Sequence, residues 1–137
     1  MAKIILASHG GLSKGMKDSV SMIVGDLAKD VETYSLLPGQ NPEDFYQEVL
    51  KEAKESEEQI VILCDIKGGS VHTALSKLAV LDNVMVFSGM NMGLVLDAVM
   101  KGLNGKLELA EANDLIEAAK DGMTVMNGIT SEDDEDF

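Results

Sequence analysis

Arginine is absent from this chain: all 11 basic residues are lysines, set against 24 acidic residues for a formal net charge of −13. Without guanidinium forks, and with so anionic a balance, the sequence offers no basic stripe for phosphates along a nucleic acid, so nucleic acid is not an expected partner. The same charge is repelled by the anionic leaflet of a membrane, and no apolar run approaches the roughly 20 residues that span one. Cysteine is limited to Cys64, which permits no internal disulfide and fits a reducing compartment. With two histidines and one cysteine, no zinc or other metal site is expected. Neither a Gly-rich loop ending in Gly-Lys-Ser/Thr nor a Gly-x-Gly-x-x-Gly fingerprint occurs, so no nucleotide cofactor is expected. Met1-Ala2-Lys3-Ile4-Ile5-Leu6 enters a β-like run with no small-residue cleavage site behind it, which does not read as a signal peptide, and the cytoplasm is the expected location. Tryptophan is absent and aromatics are 4%, so the core must be built from Leu, Val, Ile, Ala and nine methionines, the latter read as gap-fillers.

The 137 residues fit one domain with a real core. Short apolar runs alternate with segments of helical period, the pattern of a parallel sheet covered by helices. Strands are predicted at Lys3–Ser8, Val31–Leu36, Gln59–Cys64 and Asn83–Ser88; the second mixes polar and apolar residues like an edge strand, and the third is apolar enough to be buried on both faces. Between them, Leu12, Met16, Val20, Ile23 and Val24 share one helical face, closed by Gly25. Asn41-Pro42-Glu43-Asp44 is a helix start, with a capping side chain, a proline in the first turn and two acids at the positive end of the dipole. Phe45, Val49, Leu50 and Ala53 form the stripe of that helix. Further helices carry Val71, Ala74, Leu75, Leu78 and Ala79, with Ser70 as cap, and then Leu94, Val95, Ala98 and Val99 up to Gly102. A last helix runs from Leu109 to Lys120. Met123–Asn127 reads as a fifth short strand. Residues 1–130 thus form a doubly wound α/β domain, a mainly parallel sheet with helices on both faces, and residues 131–137, with five of the acids, form an acidic tail expected to be disordered.

In such a sheet, ligands sit at the carboxyl ends of the strands, near the point where strand order reverses. Three polar segments fall at such ends: Ser8-His9-Gly10-Gly11, Asp65-Ile66-Lys67-Gly68-Gly69-Ser70 and Ser88-Gly89-Met90-Asn91. Taken alone, His9 reads as a turn residue and Asp65 as a turn or capping residue. If the first and third strands are neighbours, the two face each other across one crevice. A neutral imidazole is a nucleophile toward phosphorus, and a carboxylate on its other nitrogen fixes the tautomer and stabilises the positive charge that develops on the ring. The phosphoryl group then needs a cradle without arginine. Gly10, Gly11, Gly68, Gly69 and the Ser70 hydroxyl are the candidates, because helix N-termini and Gly-rich turns offer backbone N–H donors. Lys67 is either a phosphate contact or a solvated loop lysine. His72 is either an ordinary residue of the first helical turn or, with Asn91, part of the site's rim. Cys64 reads as packing.

These motifs resemble a family: the IIA components of the mannose/fructose/sorbose class of the bacterial phosphoenolpyruvate-dependent sugar phosphotransferase system. The resemblance runs from Lys3 to about Met126 and rests on Ser8-His9-Gly10, Leu37-Pro38-Gly39-Gln40, Asp65-x-x-Gly68-Gly69-Ser70 and Gly89-Met90-Asn91 with Leu94, in that order. It implies that His9 is phosphorylated on Nε2 by the carrier HPr and hands the group to a histidine of the IIB component, which phosphorylates sugar during import through the membrane components IIC and IID. It also implies that Asp65 partners the active histidine, that Ser70 belongs to a phosphate-binding turn, and that the protein is a homodimer exchanging a fifth, antiparallel strand, here Met123–Asn127. The acidic surface would steer a basic-faced carrier into encounter. Three places depart from the family pattern. Lys67 stands where an aromatic or apolar residue is common, Val71-His72-Thr73 where Pro, an aromatic and Asn are common, and Gly93 where proline is common. The sugar is not legible, because it never touches this component. Alternatives are the phosphotransfer subunit of a dihydroxyacetone kinase, against which the Gly68-Gly69-Ser70 turn weighs; a receiver-like domain phosphorylated on Asp65, which would need an acidic pair where Ser8-His9 stands; and a non-catalytic interaction module.

Overall fold

The computed structural model describes residues 1–128, so the acidic tail predicted for residues 131–137 lies outside the described residues. Four strands, β1 (Lys3–His9), β2 (Glu32–Leu36), β3 (Ile60–Cys64) and β4 (Val84–Phe87), form one sheet in the order β2-β1-β3-β4, with every neighbouring pair parallel. Five α-helices accompany them: α1 (Leu12–Val24), α2 (Pro42–Glu55), α3 (Ser70–Ser76), α4 (Met92–Gly102) and α5 (Leu109–Asp121). Short 3₁₀ turns at Gly25–Ala28 and Lys77–Val80 continue α1 and α3.

The two-residue period of the strands sorts the core into two layers. Ile4, Leu6, Val61, Leu63 and Phe87 pack against Val20 of α1, Leu94 and Ala98 of α4, and Leu115 of α5. Ile5, Ala7, Ile60, Ile62 and Cys64 face the other way, onto Val49 and Ala53 of α2 and Val71 and Leu75 of α3. Helices therefore cover both faces, the doubly wound arrangement that the alternating pattern predicts. All five residues of β3 are buried, as expected of a central strand, and β2 is an edge strand.

From β1 the chain first builds outward to β2, then α2 returns it past β1 to place β3 on the opposite side. The reversal of strand order falls between β1 and β3, which is where a crevice opens at the carboxyl ends of an α/β sheet. Several local expectations hold for the stated reasons: Asn41 caps α2 by accepting from the Glu43 N–H at 3.0 Å, with Pro42 in the first turn.

Others need correction. Met123–Asn127 is neither strand nor helix and is exposed; a strand exists only with a ladder partner, and the sheet of the described residues ends at β4. On α1 the buried seam is Val20 with the half-buried Met16 and Val24. Leu12 lies at the helix start and Ile23 one position off the seam, and both are exposed. Ala79 falls in the 3₁₀ turn and is exposed as well.

One buried amide ties the α4–α5 connection to the sheet. Gln59 donates from Nε2 to the Leu107 carbonyl at 2.9 Å and accepts the Leu107 N–H on Oε1 at 2.7 Å. Gln59→Ala leaves both backbone groups of the buried Leu107 without partners, and an unsatisfied buried group costs about 1–3 kcal/mol. The expected outcome is a lower urea-unfolding midpoint; an unaltered midpoint would contradict it.

Candidate active site

The parallel register sets Ala7 of β1 beside Cys64 of β3, so Asp65 follows β3 one residue short of the level of His9, the last residue of β1, and its side chain reaches across to the histidine. One carboxylate oxygen holds the histidine twice: Oδ2 of Asp65 accepts the His9 backbone N–H at 2.8 Å and lies 2.8 Å from ring Nδ1. The other oxygen accepts the Ile66 N–H at 2.9 Å. The Asp65 side chain is 8% exposed and that of His9 49%, so the carboxylate sits beneath an imidazole that reaches solvent. Burial works to raise the Asp65 pKa, but the hydrogen bonds from His9 and Ile66 outweigh it and hold the carboxyl below its ordinary value. An ionised carboxylate only accepts, so Nδ1 carries the proton and the neutral ring keeps its lone pair on Nε2. That atom faces the Ser70 Oγ at 3.0 Å, and the serine hydroxyl is the donor.

Ser70 is not the helix cap that the sequence predicts. Gly69 is the N-cap of α3 and Ser70 the first helical residue, and its hydroxyl turns to the imidazole instead of to its own helix. Gly69 is there because space is short: a Cβ on it would lie 2.8 Å from Ile66 Cγ2 and 3.4 Å from His9 Cε1. Gly68 has φ +80°, the left-handed backbone that glycine adopts without steric cost.

The expected phosphate donors divide. Gly10 N–H is bonded to the Leu36 carbonyl at 2.9 Å, Gly69 N–H to the Ile66 carbonyl at 3.2 Å, and Gly68 N–H to His72 Nδ1 at 3.1 Å. Gly11 is the N-cap of α1 and Gly69 that of α3, so the amides without a helical partner are those of the two first turns that follow, except the Ser13 N–H, which the Ser8 hydroxyl accepts. Asn91 caps α4, accepting the Leu94 N–H at 3.0 Å, and Lys67 is exposed on the turn. Cys64 is fully buried, and burial first, then the Asp65 charge, pushes its thiol up to about 12; it is packing. Among the described residues no group of three or more His, Cys, Asp or Glu is arranged to hold a metal ion.

Two residues carry a role that the sequence reading did not assign. Ser8 and Ser13 are both fully buried. The Ser8 hydroxyl accepts the Ser13 N–H at 2.8 Å, serving α1 as a cap that Gly11 lacks the side chain to provide, and the Ser13 hydroxyl donates to the Tyr34 carbonyl at 2.8 Å. Together they lock the start of α1 to the ends of β1 and β2 around His9. The available signal was a pair of small polar residues flanking a Gly-Gly turn.

Comparison with known proteins places this arrangement in context. The family EIIA-man, described as "PTS system fructose IIA component", matches residues 3–119. The sorbose-specific EIIA component of the phosphotransferase system (PTS) of Klebsiella pneumoniae is 32% identical over 101 residues, covering 72% of this chain and 73% of that protein. Among solved structures, a phosphotransferase system component EIIA from Streptococcus agalactiae superposes with a TM-score of 0.79 at 23% identity, covering 91% of this chain and 97% of its own. The mannose/sorbose specific IIA subunit from Enterococcus faecalis gives 0.78 at 22% identity, covering 94% and 97%. At those identities the two structures bear on the fold alone. No helix among the described residues is long and apolar enough to cross a membrane.

The Asp65 carboxyl gives a testable pH dependence. Its folded pKa lies below the unfolded value of about 3.9. Its contribution to stability is therefore complete above that value and is lost as the pH falls through the lower folded value. Asp65→Asn is expected to unfold at lower urea than the parent at neutral pH, with the gap narrowing as the pH falls through and below the ordinary carboxylate range; a gap that does not change with pH would contradict this.

Proposed function

This chain belongs to the EIIA-man family of phosphotransferase-system IIA components, and from that membership we propose that it accepts a phosphoryl group on Nε2 of His9 from phospho-HPr and passes it to a histidine of the IIB component. The observation that carries the proposal is the double hold of Asp65 on His9, which keeps the proton on Nδ1 and leaves Nε2 unprotonated in a half-exposed ring.

The lone pair of Nε2 attacks phosphorus while the bond from phosphorus to the donor's ring nitrogen breaks, and the electron pair of that bond returns to the donor. Phosphorylated His9 then carries the Nδ1 proton on a ring with imidazolium character, whose positive charge the Asp65 carboxylate offsets. The Ser70 hydroxyl, already 3.0 Å from Nε2, swings its proton to a phosphoryl oxygen, and helix-start amides of the kind that follow Gly11 and Gly69 are the natural further donors to such a group. Transfer to IIB is the same displacement run outward. Sugar import then proceeds through IIC and IID, at the cytoplasmic face of the membrane, with this component touching neither sugar nor bilayer. The exposed apolar segment holding Met123, Val125 and Met126 supports a homodimer in which residues 123–127 find the ladder partner they lack in one chain. Against phosphorylation of Asp65, as in a receiver domain, weighs its side-chain exposure of 8% and the engagement of both its oxygens.

Incubation with phosphoenolpyruvate, enzyme I and HPr is expected to give an acid-labile phosphate on the parent and none on His9→Ala. Asp65→Asn is expected to accept phosphate roughly 10- to 100-fold more slowly, the value of a hydrogen bond to a charged group. Labelling that survives in His9→Ala, or an acyl phosphate on Asp65, would overturn the proposal.

A further inference from the structure

The strand-to-helix turn after β3 closes on itself through two side chains that the relay chemistry does not use. His72 Nδ1 accepts the Gly68 N–H at 3.1 Å, and Thr73 Oγ1 donates to the Gly68 carbonyl at 3.3 Å. On the next peptide, Gly69 N–H donates to the Ile66 carbonyl at 3.2 Å and the Gly69 carbonyl accepts the Thr73 N–H at 2.8 Å. Both glycines, the two residues with the most backbone freedom in the turn, thus have every polar backbone group engaged. The residue that follows is Ser70, with its hydroxyl 3.0 Å from His9 Nε2.

His72 is the third residue of α3, the position from which Glu or Gln reaches back to a free backbone N–H in a capping box. A glutamate there would set a negative charge beside the point where a phosphoryl group arrives. The His72 imidazole, accepting through Nδ1, reaches one residue past the N-cap Gly69 to the Gly68 N–H and makes its bond as a neutral group, with its proton on Nε2.

We infer that His72, assisted by Thr73, is a positioning residue for phosphoryl transfer: it clamps the Gly68 peptide and through it fixes the Ser70 hydroxyl on Nε2 of His9. It acts through Ser70 and does not touch the phosphoryl group. This rests on the relay reading of His9, and it gives His72 a defined task in place of a seat on the rim.

A double-mutant cycle tests it. Transfer from phospho-HPr is measured over a range of donor concentrations for the parent, His72→Ala, Ser70→Ala and the double variant. Loss of one neutral hydrogen bond is expected to slow His72→Ala roughly three- to tenfold at saturating donor, with the half-saturating concentration unchanged. The double variant is expected to be no slower than Ser70→Ala, since a clamp that acts through Ser70 has nothing left to position. His72→Gln, whose side-chain carbonyl accepts the same N–H, is expected to recover most of the rate. Should His72→Ala fail to fold, Thr73→Val removes the bond on the other side of the same peptide and takes its place in the cycle. A parental rate in His72→Ala, an undiminished loss on the Ser70→Ala background, or a change confined to the half-saturating concentration would overturn the inference. Hydrogen exchange at the Gly68 amide reads the clamp without any transfer: protection in the parent and faster exchange in His72→Ala are expected, and equal exchange would overturn it. If the parent takes no phosphate at all, the relay reading has failed, and the exchange result still decides whether His72 holds the turn.

Discussion

A single oxygen atom, Oδ2 of Asp65, accepts hydrogen bonds from both the backbone and the ring of His9, and the chemistry of the site depends on it. The backbone bond fixes where the histidine sits at the end of β1; the ring bond fixes which way the imidazole faces and which nitrogen carries the proton. Without the first, the second would have to order a side chain on a free strand end. Without the second, the exposed nitrogen would be undecided between donor and acceptor. The carboxylate is nearly buried and the ring half-exposed, so the charge is kept from solvent while the reactive atom is offered to it.

The fold exists around this pair in a specific sense. Two strands that are distant in sequence end side by side because α2 carries the chain back past β1, and the register of β1 with β3 aligns the residues that follow. Buried hydroxyls of Ser8 and Ser13 then fasten the α1 side, and the bonds of His72 and Thr73 fasten the α3 side. Each side satisfies its own backbone donors and acceptors locally, which a site at a strand end must do because the ladder no longer provides partners. The absence of arginine fits the same design. On the proposed relay, a phosphoryl group with one hydroxyl beside it and no arginine to clamp it is held weakly enough to be handed on.

Much of this was legible in the sequence. Alternation of short apolar runs with helical periods gave four strands and five helices in the right order, and the burial of β3 on both faces followed from its unbroken Ile-Val-Ile-Leu-Cys. His9 and Asp65 stood out as chemistry-bearing residues at matched strand ends, and their meeting needed only that β1 and β3 be neighbours. What remained hidden was hidden for physical reasons. Ser70 has the residue type of a cap and the position of one, but a glycine ahead of it takes the extended cap conformation, and no local pattern reveals that an imidazole from a strand 61 residues away will claim the hydroxyl. The same holds for His72, whose partner is a backbone N–H. Gly10, Gly68 and Gly69 have the residue type and position of free phosphate donors, yet a turn tight enough to need glycine also engages those donors internally. Residues 123–127 carry strand-like residue types, and whether they pair is decided by what lies beside them.

The protonation state of the His9 ring is the most direct test of how this site works. Long-range proton–nitrogen correlation spectra of protein labelled with ¹⁵N-histidine report each ring nitrogen separately, and His9→Asn assigns the signals. At neutral to mildly alkaline pH, Nδ1 of His9 is expected to bear the proton and Nε2 to resonate as an unprotonated nitrogen, and after phosphorylation Nε2 alone should couple to phosphorus. A ring protonated on Nε2, or phosphorus coupled to Nδ1, would contradict the role assigned to Asp65 and with it the mechanism.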